Sequence, residues 1–232
     1  MMNFVIGDLH GEITKLKSLI KLIEKKAKNP SLIFIGDYID KGENSKELLD
    51  YLIELKDTYH TIFLLGNHEY YWLNINKNKN SILKYGGSKT IQDFKSKSIE
   101  ECKTKILKNY FEIFDSLKPF YETENFFVCH SGLAKKDLEE GKVENLNFNL
   151  NRYDFITSKS FFKKKKIIIF GHTAFFSPYI DEYKIGIDTG ACYLKEQPIT
   201  SLCLETKLFY NSNEEIYGID KIRKDICPVI IR

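Results

Sequence analysis

The chain has 232 residues, of which 43% are hydrophobic and 29% charged, and its net charge is +3. That length buries a full core without disulfide or zinc staples and favours one domain, large enough to carry an insertion. A charge so near balance leaves no electrostatic footprint for nucleic acid or a membrane surface, and no apolar run nears the roughly 20 residues of a membrane-spanning helix.

Residues 3–6 read as a short buried strand. Across 12–28, Ile13, Leu16, Ile20, Leu22, Ile23 and Ala27 recur at helical spacing until Asn29-Pro30 stops the run. Leu32-Ile33-Phe34-Ile35 is the next strand. Leu48, Leu49, Leu52, Ile53 and Leu55 mark a second helix, with Asn44 or Ser45 as its N-cap, and Thr61–Leu65 is a third strand. This β-α-β-α-β order implies parallel strands joined by crossover helices. Residues 70–119 are lysine-rich, lack long apolar strands and read as a mostly helical insertion covering the ends of the strands. Strand patterns return at Phe126–Cys129, Ile167–Phe170, Lys184–Ile187, Thr200–Leu204 and Lys207–Tyr210. The last four lie close together and predict a more antiparallel second sheet. Residues 135–165 read as loops with a short helix, Lys163–Lys166 as a solvated loop, and no disordered tail is expected.

Five cysteines, at 102, 129, 192, 203 and 227, show no Cys-x-x-Cys spacing and read as free thiols of a reducing compartment. The N-terminal strand runs straight into motif residues, so no signal peptide is expected and the cytoplasm is the expected location.

The chemistry gathers at the strand exits. Gly7-Asp8-Leu9-His10-Gly11, Gly36-Asp37-Tyr38-Ile39-Asp40-Lys41-Gly42 and Gly66-Asn67-His68-Glu69 each follow a short apolar run, as do His130 and His172. Four of the five histidines belong to this set. In an open α/β sheet, ligand groups collect beyond the carboxyl ends of the strands, which brings residues distant in sequence to one place. Glycine just before Asp8, Asp37, Asn67 and His172 allows a sharp turn and close backbone approach. Carboxylate, amide oxygen and imidazole without thiolate make a hard-to-borderline donor set, suited to manganese, iron, zinc or a related divalent ion and sufficient for two.

These strings, with Cys129-His130-Ser131-Gly132, Gly171-His172-Thr173 and Ile187-Asp188-Thr189-Gly190-Ala191, make the sequence resemble the calcineurin-like metallophosphoesterases, in the bacterial and phage-type phosphoprotein phosphatase branch. The matches run from residue 7 to about 205. The resemblance implies a four-layer α/β/β/α sandwich forming one catalytic domain over 1–232, with the helical cap inserted at about 70–119. It implies two divalent metal ions, manganese first and iron, zinc, nickel or cobalt as alternatives. Asp8, His10 and Asp37 would hold one ion; Asp37 would bridge to a second, completed by Asn67, His130 and His172. His68 would be the general acid, oriented by Asp40, and a dimetal-activated hydroxide would attack phosphorus in line. Ala174, where the wider superfamily often has a further histidine, fits the phosphatase branch. Lys41 stands where the family usually has arginine, keeping the charge but losing the bidentate fork. Arg152, the only arginine between the His130 and His172 motifs, is the candidate for a second phosphate-binding cation, with a surface pair to Asp154 as its alternative. Asn67 would also meet the phosphate.

Three functions follow from the resemblance: a serine/threonine protein phosphatase with some tolerance of phosphotyrosine, a symmetrical diadenosine tetraphosphate hydrolase, and a non-catalytic metal-bound phosphopeptide-binding protein. The expected partner is accordingly a phosphorylated protein or a dinucleoside polyphosphate, not nucleic acid or a membrane. Asp40 favours the first. Tyr70, Tyr71 and Trp72 could stack an adenine or simply pack beneath the cap.

Overall fold

The structure, a computed structural model, describes residues 1–143, 152–160 and 162–222. It opens with β1 (Asn3–Ile6), α1 (Ile13–Glu24), β2 (Ser31–Phe34), α2 (Ser45–Thr58) and β3 (His60–Phe63). Five helices follow: α3 (Asn67–Leu73), α4 (Ile75–Lys84), α5 (Gly87–Asp93), α6 (Ile99–Asn109) and α7 (Phe111–Asp115). Next come β4 (Phe120–Glu122), β5 (Phe126–Cys129), α8 (Lys135–Glu140), α9 (Arg152–Thr157), β6 (Ile167–Phe170), β7 (Tyr179–Ile180) and β8 (Lys184–Gly186). The last strands are β9 (Thr200–Cys203), β10 (Phe209–Asn211) and β11 (Ile216–Tyr217).

Two mixed sheets result, ordered β11-β10-β9-β1-β2-β3 and β4-β5-β6-β8-β7. Strands β1, β2 and β3 are parallel, as the alternation of strand and helix predicts. The expected antiparallel second sheet is corrected: β9 pairs antiparallel with β1 and β10 with β9, so both join the first sheet. The second sheet is parallel at its centre, β5-β6-β8, with antiparallel strands only at its edges. Closeness in sequence misleads here because β9 has its partner some two hundred residues upstream, a pairing that no local pattern encodes.

Side-chain alternation along the strands builds the layers. Phe4 and Ile6 of β1, with Leu32 and Phe34 of β2, face a core shared with α1 and α2. Val5 and Ile33 point the other way, into a core between the sheets that includes Val128, Ile169 and Leu202. Phe127, Ile168 and Phe170 face outward from the second sheet against Leu138 of α8 and Phe155 of α9. Period-two alternation with apolar residues on both faces is what a sheet covered on both sides requires. The layers are helix, sheet, sheet, helix, as expected.

Two boundaries differ from the sequence reading. Helix α1 ends at Glu24, leaving Ala27 buried in the turn beyond it. The helical stretch starts at Asn67, and Trp72, Ile82, Phe94, Cys102 and Ile106 share the core of α1 and α2, so it extends that layer rather than resting only on the strand tips. Lys163, Lys164 and Lys165 are exposed as expected, and Cys102, Cys129, Cys192 and Cys203 are free thiols. Cys227 and the C-terminal segment, for which no disorder was expected, lie outside the described residues. No helix among the described residues is long and apolar enough to cross a membrane.

Candidate metal centre

Asp8, Asp37, Asn67, His130, His172 and Asp188 follow the carboxyl ends of β1, β2, β3, β5, β6 and β8. Because these strands are parallel neighbours within each sheet, their exits converge at one edge of the sandwich. All six residues are at least nine-tenths buried. The turns that deliver them are tight. His10, Asp37, Asp40, Lys41 and His172 are five of the ten non-glycine residues with positive φ among those described. Left-handed backbone costs a β-carbon-bearing residue on the order of 1 kcal/mol, and such strain collects where geometry serves chemistry. His10, at φ 42°, is therefore not on an extended continuation of β1 but in a turn that swings its ring toward Asp37. Gly171 leaves room for a carboxylate: a β-carbon there would lie 2.1 Å from Asp8 Oδ1.

Asp37 is the hub. Its Oδ2 lies 3.4 Å from His10 Nε2 and 3.8 Å from His68 Nε2; its Oδ1 lies 3.3 Å from His130 Nε2 and accepts the His68 amide at 3.1 Å. Two groups of donor atoms form around it, His10–Asp37–His68 and Asp37–His130–His172, each with all its donor atoms within 4.8 Å of one another. Asn67 Oδ1 completes the second, 3.0 Å from His130 Nε2 and 2.6 Å from His172 Nδ1. Asp8 enters the site through the His172 amide, which it accepts at 3.1 and 3.2 Å.

The electrostatics fit divalent cations. Burial, with Lys41 beside it, lowers the pKa of His10 to about 4, and burial, His130 and Arg152 hold His172 well below the usual histidine range. Both are neutral imidazoles at neutral pH, as ligands must be. His10 Nδ1 and His130 Nδ1 face the carbonyls of Ile39 (2.8 Å) and Ile35 (3.1 Å), which places the proton on Nδ1 and leaves the Nε2 lone pair, on the side of Asp37, available to a metal ion. Burial and the repulsion of Asp188 and Asp37 push Asp8 well above the usual carboxylate range. A divalent cation between these buried carboxylates would offset their repulsion.

His68 stands differently. Its Nδ1 is 2.8 Å from Asp40 Oδ2, and Asp40 is fully buried, also accepting the Trp72 indole at 3.0 and 3.1 Å and the Thr90 hydroxyl at 2.6 Å. Trp72 is thus a fixed partner of Asp40, 1% exposed, and not an adenine platform. A carboxylate behind imidazole orients either an acid or a metal ligand, and the distances place His68 near both.

Lys41 and Arg152 bring positive charge. Lys41 Nζ lies 2.8 Å from His10 Nε2 and 4.8 Å from the centre of the Tyr193 ring. Arg152 opens α9, and its charge acts on His172 and Tyr71. The buried ammonium of Lys184 holds the other end of that helix, donating to the carbonyls of Phe155 (3.1 Å), Ile156 (3.1 Å) and Ser158 (2.6 Å). Leu150 and Asn151, the start of the string around Arg152, lie outside the described residues.

Two residues received no role from the sequence. Glu69 is fully buried and accepts the amides of Asp37 and Tyr38, both at 2.9 Å, so α3 splints the loop that carries the hub. Burial and the Asp37 charge raise its pKa to about 8. Asp188 adds its charge to Asp8 while accepting the Gly190 amide at 2.9 Å. The only sequence signal for either was its place inside a quoted string. Glu69→Ala strands two buried amides and is expected to destabilise the metal-free protein by about 2–4 kcal/mol, read from urea unfolding.

Residues 4–209 match the family model described as calcineurin-like phosphoesterase. The chain belongs to this family. It is thereby a metallophosphoesterase, an enzyme of the phosphoester-hydrolase class, and the two donor groups around Asp37 could hold metal ions. Among its relatives is an asymmetrical bis(5'-nucleosyl)-tetraphosphatase, PrpE, of Oceanobacillus iheyensis, 23% identical over 213 residues, which cover 82% of this chain and 84% of that one. A symmetrical bis(5'-nucleosyl)-tetraphosphatase of Wigglesworthia glossinidia brevipalpis is 36% identical over 69 residues, 30% of this metallophosphoesterase and 25% of the relative. The crystal structure of a cold-active protein-tyrosine phosphatase from a psychrophilic Shewanella shares the fold at a TM-score of 0.60 and 15% identity, covering 93% of this chain and 79% of that one.

Proposed function

We propose that this metallophosphoesterase is a protein phosphatase that hydrolyses phosphoserine and phosphothreonine, with His68 as general acid. The observation that supports it most is the Asp40–His68 pair, 2.8 Å apart, set beside two donor groups that share Asp37. Asp8, His10 and Asp37 would hold one divalent ion, and Asp37, Asn67, His130 and His172 a second. Two such ions, when bound, neutralise phosphoryl charge and lower the pKa of water so that hydroxide is available near neutral pH. His68 Nε2 gives its proton to the departing alkoxide while Asp40 holds Nδ1. Such an acid is worth about 10²–10⁴-fold in rate. Lys41 and Arg152 meet the charge on the phosphoryl oxygens. Asn67 can turn its amide N–H toward phosphate while its oxygen faces the two histidines.

A second reading, hydrolysis of dinucleoside tetraphosphates, is favoured by the names of the relatives, one of which aligns along 82% of this chain. Steady-state turnover of a phosphothreonine peptide and of diadenosine tetraphosphate by manganese-loaded protein separates the two. The expected kcat/KM is higher for the peptide; chelation is expected to abolish both activities and added manganese to restore them. A higher kcat/KM for the dinucleotide would replace the first reading with the second.

A further inference from the structure

We infer that Thr90 is a positioning residue for the reaction: through it, helix α5 sets the direction in which Asp40 holds His68. The inference rests on the reading of His68 as the acid. Asp40 stands at φ 70° and Lys41 after it at φ 57°, two successive left-handed residues that carry a β-carbon. Such backbone persists only where its surroundings fix it. The Thr90 hydroxyl fixes Asp40 at both ends. It accepts the Asp40 amide at 3.0 Å and donates to Asp40 Oδ1 at 2.6 Å. The other carboxylate oxygen, Oδ2, is the one 2.8 Å from His68 Nδ1. One hydroxyl thus ties down both the backbone from which the carboxylate leaves and the oxygen on the side away from His68. The Trp72 indole reaches only the carboxylate, at 3.0 and 3.1 Å.

Helix α5 is itself fastened so that Thr90 stays in place. Positions 86, 90 and 93, at spacings of four and three, share one helix face, and each meets the chain between Asp40 and Lys46. Gly86, the N-cap, at φ +96°, packs so closely on Lys41 that a β-carbon there would lie 2.7 Å from the Lys41 nitrogen. Asp93 Oδ2 accepts the Lys46 amide at 2.6 Å, in the first turn of α2. Between these two ties, Thr90 Oγ1 also lies 3.3 Å from Ser45 Oγ. Thr90, Ser45 and Asp40 are all fully buried, so the hydroxyl rather than solvent decides where the carboxylate points. A helix that reads in the sequence as part of a cover therefore reaches the acid through one side chain. Neither Asp40 nor Ser45 belongs to the donor groups around Asp37, so loss of the hydroxyl acts on the acid and not on the ions. Proton transfer from His68 Nε2 requires the ring to be aligned with the departing oxygen. An ester whose alcohol is acidic departs without that proton and does not register the loss.

The test compares wild type, Thr90→Val, which keeps the shape and removes the hydroxyl, and Thr90→Ser, which keeps the hydroxyl. Each is loaded with manganese, its metal content is counted, and kcat is measured on a phosphothreonine peptide and on 4-nitrophenyl phosphate. Thr90→Val is expected to lower kcat on the peptide about tenfold, the lower end of the cost of removing an outer partner, with a much smaller loss on 4-nitrophenyl phosphate and unchanged metal content. Thr90→Ser is expected to recover most of the loss. In a His68→Asn background, Thr90→Val should cost nothing further on the peptide, because the two residues act as one unit. Thr90→Ala gives the same comparison should the valine variant not fold. An unchanged kcat on the peptide, an equal loss on both esters, a loss of metal, or the full cost persisting in His68→Asn overturns the inference and leaves Thr90 a structural residue. A His68→Asn protein that loses an ion, or that slows on both esters equally, overturns the reading of His68 as the acid, a failure visible without any change at Thr90.

Discussion

Asp37→Asn is expected to lower kcat by about three orders of magnitude or more, the scale of losing a group that acts directly on the reacting charge, and to reduce metal content at the same time. The substitution keeps the shape of the side chain and removes its charge. Asp37 is the one carboxylate shared by both donor groups, within 3.4 Å of His10 Nε2 through one oxygen and 3.3 Å of His130 Nε2 through the other. Burial disfavours its ionised form, but the adjoining His130, His68 and His10 outweigh that and hold it well below the usual carboxylate range. Asp37 is thus held ionised, while Asp8 and Asp188 are pushed the other way by burial and repulsion. An amide at this position weakens both ion sites together. The fold should persist, because the loop is held by Glu69 through backbone amides that the substitution leaves alone. Full metal content with full turnover in Asp37→Asn would remove the hub from the account.

His68→Asn is expected to behave in the opposite way for metal and similarly for rate. Turnover should fall about 10²–10⁴-fold, as for loss of a general acid, while metal content stays near that of wild type. The loss should shrink on an aryl phosphate with an acidic phenol, since such a leaving group departs without a proton. The distances alone allow the alternative: His68 Nε2 lies 3.8 Å from Asp37 Oδ2 and belongs to one of the two donor groups. Loss of one ion per chain in His68→Asn would make His68 a ligand, and the acid would have to be sought elsewhere.

The parts of the fold that were legible in the sequence are those written locally. The short apolar runs of β1, β2, β5 and β6 alternate faces between two cores, and each is followed by a polar donor, with glycine before it at β1, β2 and β6, so strand, exit and candidate ligand could be read together. Asp8, His10, Asp37, Asn67, His130 and His172 come together as that pattern implies. Sheet membership of β9 and β10 was not legible, because pairing with β1 across the whole chain depends on the fold rather than on the strand. The end of α1 was overrun because Ala27 is buried in a turn and so looks helical by spacing. Glu69 was missed since its partners are backbone amides of Asp37 and Tyr38, which carry no side-chain signature. Thr90 had no reading in the sequence and Trp72 only that of an adenine platform or of packing beneath the cap, for a related reason: both meet Asp40 only once α3 and α5 close on the loop after β2.

The measurement that bears most directly on the central claim is a count of metal per chain. Protein dialysed to equilibrium against manganese, with the element then quantified by mass spectrometry, should hold two ions in the wild type and fewer in Asp37→Asn. A wild type that is folded and binds one ion or none under these conditions would contradict a two-ion centre built on Asp37.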